Sequence, residues 1–136
     1  MELLASAAGH LTGPDYQVQI TSGNHSFLAD EPLALQGADT GPDPYSLLLS
    51  ALVSCTSITL KMYAGRKGWP LEDAEVECRL TRADAAARPE IERVIILKGD
   101  LNEEQKQRLL QIASACPVHK LLSAGNTIHS RLELPG

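Results

Sequence analysis

Asp43-Pro44-Tyr45-Ser46-Leu47-Leu48-Leu49-Ser50-Ala51-Leu52-Val53-Ser54-Cys55-Thr56 reads as the first half of a long helix that carries a cysteine in its middle. Asp43 can cap the first free backbone N–H groups. Pro44 suits the first helical position, because its φ is already set and its missing N–H would have gone unpaired there. The helix should stop after Lys67. Arg66 and Lys67 complement the negative end of the helix dipole, Gly68 suits a left-handed C-terminal turn, and Pro70 cannot continue the helix. Leu47 to Val53 is almost entirely apolar, so this half should run through the interior of a domain or a dimer. Stepping by three and four puts Leu48, Leu52, Cys55, Thr59 and Met62 on one stripe, with Ser54 and Thr56 beside the sulfur. Cys55 is then either a small hydrophobe in a core or a sequestered nucleophile.

A second cysteine gives weight to the nucleophile. Cys116 follows the amphipathic run Leu109, Leu110, Ile112, Ala113 and immediately precedes Pro117, where a new helix should begin. Unpaired N–H groups at a helix N-terminus stabilise a thiolate placed there. The third cysteine, Cys78, sits in the alternation Ala74, Val76, Cys78, Leu80 and reads as core packing.

The chain has 136 residues, of which 43% are hydrophobic and 21% charged, enough for one soluble domain with its own core. Residues 1–14 read as an N-terminal arm and 15–136 as a single domain. The apolar runs look too short for a membrane span and Met1–Ala8 lacks a basic leader, so the expected setting is cytoplasmic, without a membrane partner. Three widely spaced cysteines argue against a secreted disulfide framework and for a reducing compartment. Net charge is −5, and no Lys or Arg occurs before Lys61, which discourages nucleic-acid binding. An aromatic content of 4% leaves little for base stacking, and no phosphate-binding loop, dinucleotide fingerprint or paired CxxC zinc site is present. A zinc site built from Cys116 and His119, with His25 and Cys55, remains a separate possibility that lacks the close paired spacings of structural sites. His10 and His129 have no motif around them.

Around the long helix, Tyr16, Val18 and Ile20 alternate as a strand, Ser22-Gly23-Asn24 turns, and His25–Ala29 returns. Leu33–Pro42 is a loop in which Gly37 and Gly41 permit turns. Ala74–Thr81 and Ile91–Leu97 form a second hairpin around Ala83–Arg88. Asn102-Glu103-Glu104-Gln105 is a capping box opening a helix to about Ala115, Pro117–Leu122 forms a shorter helix, and Thr127–Leu134 a last strand. The order β-β-α-β-β-α-α-β with short connections specifies an α+β domain.

Asp30-Glu31-Pro32, Gly41-Pro42-x-Pro44-Tyr45, the Leu47–Thr56 run and Ala115-Cys116-Pro117-Val118-His119 together resemble the OsmC/Ohr family, over roughly Tyr16 to Leu134. The similarity is greatest to the branch with Asp-Glu-Pro and Cys-Pro-Val-His signatures. The resemblance implies an intertwined homodimer with a buried central helix. It also implies a thiol peroxidase acting on organic hydroperoxides, with Cys55 as peroxidatic and Cys116 as resolving cysteine. The implied reductant is an external dithiol of lipoyl type, with no metal and no bound cofactor. An alternative is a stress or ligand-binding protein of the same fold with little turnover. Better-known branches have a glutamate where this chain has Tyr45 and an N-terminal arginine that this chain lacks. Arg66 and Lys67 of a partner chain are then candidate cations for the thiolate.

Overall fold

The computed structural model describes residues 1–11 and 13–135. The chain divides into two compact units, Met1–Ser50 and Ala51–Gly136.

The first unit holds a three-stranded antiparallel sheet, β1 (Ala8–Leu11), β2 (Val18–Ser22) and β3 (His25–Ala29), in chain order. Ser22 pairs with His25, so the turn is Gly23-Asn24. The loop that follows is built on one carboxylate. Asp30 is only 2% exposed, and its Oδ1 accepts the N–H of Glu31 at 2.8 Å. Its Oδ2 accepts the N–H groups of Ala38 (3.3 Å) and Thr40 (3.2 Å) and the Thr40 hydroxyl (2.7 Å). Four donors hold its pKa below the usual carboxylate value, with the Thr40 hydroxyl contributing most. The glycines of this loop are there for proximity: a Cβ would lie 1.9 Å from the Glu31 carbonyl oxygen at Gly37 and 1.9 Å from that of Leu28 at Gly41.

Helix α1 (Pro44–Lys67) starts and stops as its residues dictate. The Ser46 N–H donates to Asp43 Oδ2 at 3.2 Å. At the other end Gly68 takes φ 71°, while the N–H groups of Gly68 and Trp69 reach back to the carbonyls of Gly65 and Ala64.

The second unit contains the hairpin β4 (Leu71–Thr81) and β5 (Glu90–Gly99), then α2 (Glu103–Ala113) and α3 (Pro117–Ala124). The capping box forms as spelled, with Gln105 N–H donating to Asn102 Oδ1 at 2.8 Å and Asn102 N–H to Gln105 Oε1 at 3.0 Å. Leu60 and Ala64 of α1, Leu109 and Ala113 of α2, and Leu71 and Leu101 make one buried cluster, with Ile95 and Leu97 of the hairpin packed against it.

Four expectations need correction. Ala8–Leu11, inside the presumed arm, is a strand paired with β2; its small and polar residues gave no periodic signal. Thr127–Leu134 forms no strand: its alternation supplies a face, and no strand of either sheet pairs with it in the single chain. Helix α1 is buried along Leu52, Thr56, Leu60 and Ala64 only, while Leu48 and Met62 are exposed. That stripe is a pure i, i+4 row; beside it Leu47, Leu49, Val53, Cys55 and Thr59 are only half-buried in one chain. Finally, α1 is long and apolar enough, by length and composition, to cross a bilayer, which the short-run reading missed. Its second half nevertheless lies in the core of the second unit, where Lys61 Nζ donates to the Leu71 carbonyl at 2.7 Å.

Candidate functional site

The hairpin, the middle of α1 and the start of α3 bring the cysteines together. Cys55 is half-buried on α1, next to the wholly buried Thr56 and one turn before Thr59. Cys116 is wholly buried at the N-cap of α3, where Pro117 occupies the first turn and the Lys120 N–H closes the first helical bond onto the Cys116 carbonyl. The two thiols perturb each other, so their protons belong to a coupled pair. All three cysteines are free thiols.

Their environments push in opposite directions. Burial raises the pKa of Cys55, and the neighbouring Cys116 sulfur raises it further; the Val118 N–H and the Thr59 hydroxyl oppose this without reversing it. Burial also works against ionisation of Cys116, but more groups oppose it there. Cys55, the N–H groups of His119 and Val118, and the Thr56 hydroxyl together bring its pKa below the ordinary thiol value. The Cys116 side chain makes no formal capping hydrogen bond, so the effect is that of an open helix N-terminus facing a sulfur.

Two further residues complete the site: His119, which the sequence offered only within its motif and as a zinc ligand, and Arg93, which the sequence reading missed. In the β4–β5 register Cys78 lies opposite Arg93, Val76 opposite Ile95, and Ala74 opposite Leu97. Arg93 therefore projects from the hairpin's inner face among apolar side chains. Its Nη1 donates to Thr56 Oγ1 at 3.2 Å. The signal was available: Ile91, Arg93, Ile95 and Leu97 alternate, and a charge in an inward-facing series needs a partner. The consecutive run Val94–Leu97 masked it. His119, half-buried on α3, has its pKa lowered by burial and by the Arg93 charge, so it is neutral at neutral pH. Arg93 and His119 share a cavity of about 280 Å³ whose other walls include Leu52, Ile91 and Leu122.

The remaining candidates lie elsewhere or carry no chemistry here. Cys78 faces the same inner side, half-buried, its pKa raised by burial and only partly offset by Arg93. Lys67 lies over the Tyr63 ring, 5.6 Å from its centroid. Arg66 is eleven residues beyond Cys55 on α1, roughly 16 Å along the axis. Among the described residues, no group of three or more His, Cys, Asp or Glu side chains is placed to hold a metal ion.

Comparison with known proteins bears on the family and the fold. The family described as OsmC-like protein matches residues 37–131. Among solved structures, an OsmC-like protein from Mycoplasma pneumoniae is 20% identical, with TM-score 0.76 over 90% of this chain and 89% of that one. The organic hydroperoxide resistance protein OhrB of Bacillus subtilis is 23% identical, with TM-score 0.62 over 91% and 93%. An organic hydroperoxide resistance protein OsmC from Legionella pneumophila is 21% identical, with TM-score 0.65 over 88% and 89%. The search of curated proteins gave no match. With a fold that superimposes on these structures and a family match over most of its length, this chain belongs to the OsmC-like family.

Proposed function

We propose that the protein serves in oxidative stress defence as a thiol-dependent peroxidase that reduces organic hydroperoxides. The observation that carries this reading is the coupled pair of Cys55 and Cys116, two thiols from separate elements held close enough to perturb each other's ionisation. The names of the solved relatives from Bacillus subtilis and Legionella pneumophila, which refer to organic hydroperoxide resistance, support the substrate class.

In this reading the Cys55 thiolate attacks the distal oxygen of the hydroperoxide. The O–O bond breaks, the alkoxide takes up a proton and leaves as an alcohol, and Cys55 becomes a sulfenic acid. Cys116 then attacks the Cys55 sulfur, hydroxide leaves as water, and a disulfide stores the two electrons' worth of oxidation. An external dithiol, of lipoyl type, restores both thiols by exchange. Cys55 is the attacking residue because it retains some exposure, whereas Cys116 is fully enclosed. No metal or bound cofactor enters this cycle.

The active form is a cytoplasmic homodimer, supported by the apolar side chains that α1 leaves uncovered in one chain, Ile58 and Met62 among them. The alternative, a ligand-binding stress protein of the same fold, is favoured by the absence of the usual activating pair. Hydroperoxide consumption driven by dithiothreitol or dihydrolipoamide separates the two. Turnover in wild type and none in Cys55→Ser supports the peroxidase; equal background in both overturns it.

A further inference from the structure

Among the described residues Arg93 is the cation the thiol site possesses, and its placement is unusual. It stands on the inner face of the β4–β5 hairpin, directly opposite Cys78 and flanked on β5 by the inward-facing Ile91 and Ile95. The four ion pairs among the described residues do not include it. What it reaches instead is the hydroxyl of Thr56, a wholly buried side chain one residue after Cys55.

The direction of that hydrogen bond matters. A guanidinium can only donate, so Thr56 Oγ1 must accept from it. The hydroxyl's own proton is then directed away from Arg93, and the Thr56 hydroxyl is one of the groups that favour the Cys116 thiolate. A hydroxyl already polarised by a cation is a better donor to an anion than one left free.

We propose that Arg93, hydrogen-bonded to the Thr56 hydroxyl beside Cys55, is a positioning residue that acts through that hydroxyl on the Cys55–Cys116 pair and readies it to close its disulfide. This deepens the peroxidase reading, and its consequence for over-oxidation rests on that reading. In that arrangement Arg93 and Thr56 favour closing of the Cys55–Cys116 disulfide before a second peroxide can oxidise Cys55 further. The ionisable or charged groups facing Cys116 are Cys55 from α1, Cys78 from β4, Arg93 from β5 and His119 from α3, and the first step of the thiol titration belongs to this set.

The test uses the full chain in a Cys78→Ser background and compares no further change with Arg93→Gln, Arg93→Lys, Thr56→Val and the Arg93→Gln/Thr56→Val pair. The first readout is thiolate absorbance against pH, which requires no peroxidase activity. Arg93→Gln is expected to raise the first thiol midpoint by about one pH unit, with Arg93→Lys restoring part of the shift. Thr56→Val should raise it similarly, and adding Arg93→Gln to Thr56→Val should change little more, because the two act in series. The second readout is the sulfinic acid fraction at Cys55 after cumene hydroperoxide, expected to rise several-fold in Arg93→Gln. An unchanged midpoint in Arg93→Gln, in protein whose circular dichroism matches the parent, overturns the proposal, as does full additivity of the two substitutions. If the midpoint shifts but no variant, parent included, oxidises at Cys55, the relay stands and the peroxidase reading fails.

Discussion

Cys78 and Arg93 face each other across the β4–β5 hairpin, a pairing that puts the chain's third cysteine beside a guanidinium of the site. Burial raises the Cys78 pKa, and Arg93 offsets this only in part, so the side chain stays a neutral, half-buried thiol. Cys78→Ala should therefore cost about 1 kcal/mol or less in urea unfolding and leave peroxide-driven disulfide formation intact. A loss of disulfide formation in that variant would assign Cys78 a redox role.

Ionisation of Cys55 sets the pH dependence of its oxidation. Its pKa lies above the ordinary thiol value, chiefly through burial, so at neutral pH the thiolate is the minor form. Each unit of pH below that pKa lowers the thiolate fraction about tenfold. The rate of Cys55 oxidation in a Cys78→Ser, Cys116→Ser background should climb steadily from pH 6 to pH 9. A rate flat from pH 6 upward would show a Cys55 already ionised.

Asp30 gives the first unit a pH-dependent element of stability. Its folded pKa is lowered below its unfolded value near 3.8, so its contribution is complete above that unfolded value and is lost as pH falls through the folded one. Asp30→Asn replaces an acceptor-only carboxylate by an amide that turns an NH₂ toward N–H donors. The variant should have a lower urea midpoint than wild type at pH 7, and the two curves should converge as the pH drops below 3. A gap that stays constant down to pH 2 would remove the carboxylate charge from the explanation.

The uncovered face of α1 predicts assembly. Ile58 and Met62 are 54% and 63% exposed in the single chain and lie one turn apart on the same face. Sedimentation should show wild type at twice the mass of the 14.6 kDa chain. Ile58→Glu combined with Met62→Glu should shift it toward monomer or aggregate. A stable wild-type monomer at micromolar concentration would mean that these side chains tolerate water.

The helices were legible because their ends are spelled in residues that act locally. Asp43-Pro44, Gly68-Trp69-Pro70 and Asn102–Gln105 each satisfy backbone groups within a turn, and each formed as written. Each hairpin was legible from the alternation of its first strand, Tyr16, Val18 and Ile20 in one and Ala74, Val76, Cys78 and Leu80 in the other, with the turn that follows it. Strand β1 was hidden because Ala8, Gly9, His10 and Leu11 show no apolar rhythm and hold their place by pairing with β2. Thr127–Leu134 misled in the opposite way, since alternation supplies a face but no edge. At the site, each cysteine motif was readable by itself, whereas their proximity depends on how α1, the hairpin and α3 pack. Arg93 was hidden by its neighbours: Val94, Ile95, Ile96 and Leu97 read as a buried run, and the face it shares with Cys78 emerges only from the register.

The most direct test of the account is peptide mass spectrometry of wild-type protein treated with one equivalent of cumene hydroperoxide at pH 8 and alkylated at once. The account predicts a Cys55–Cys116 disulfide with Cys78 recovered as the alkylated thiol, replaced in Cys116→Ser by Cys55 trapped as sulfenic and then sulfinic acid. Wild-type protein whose only oxidised residue is Cys78, or which keeps all three thiols, would contradict it.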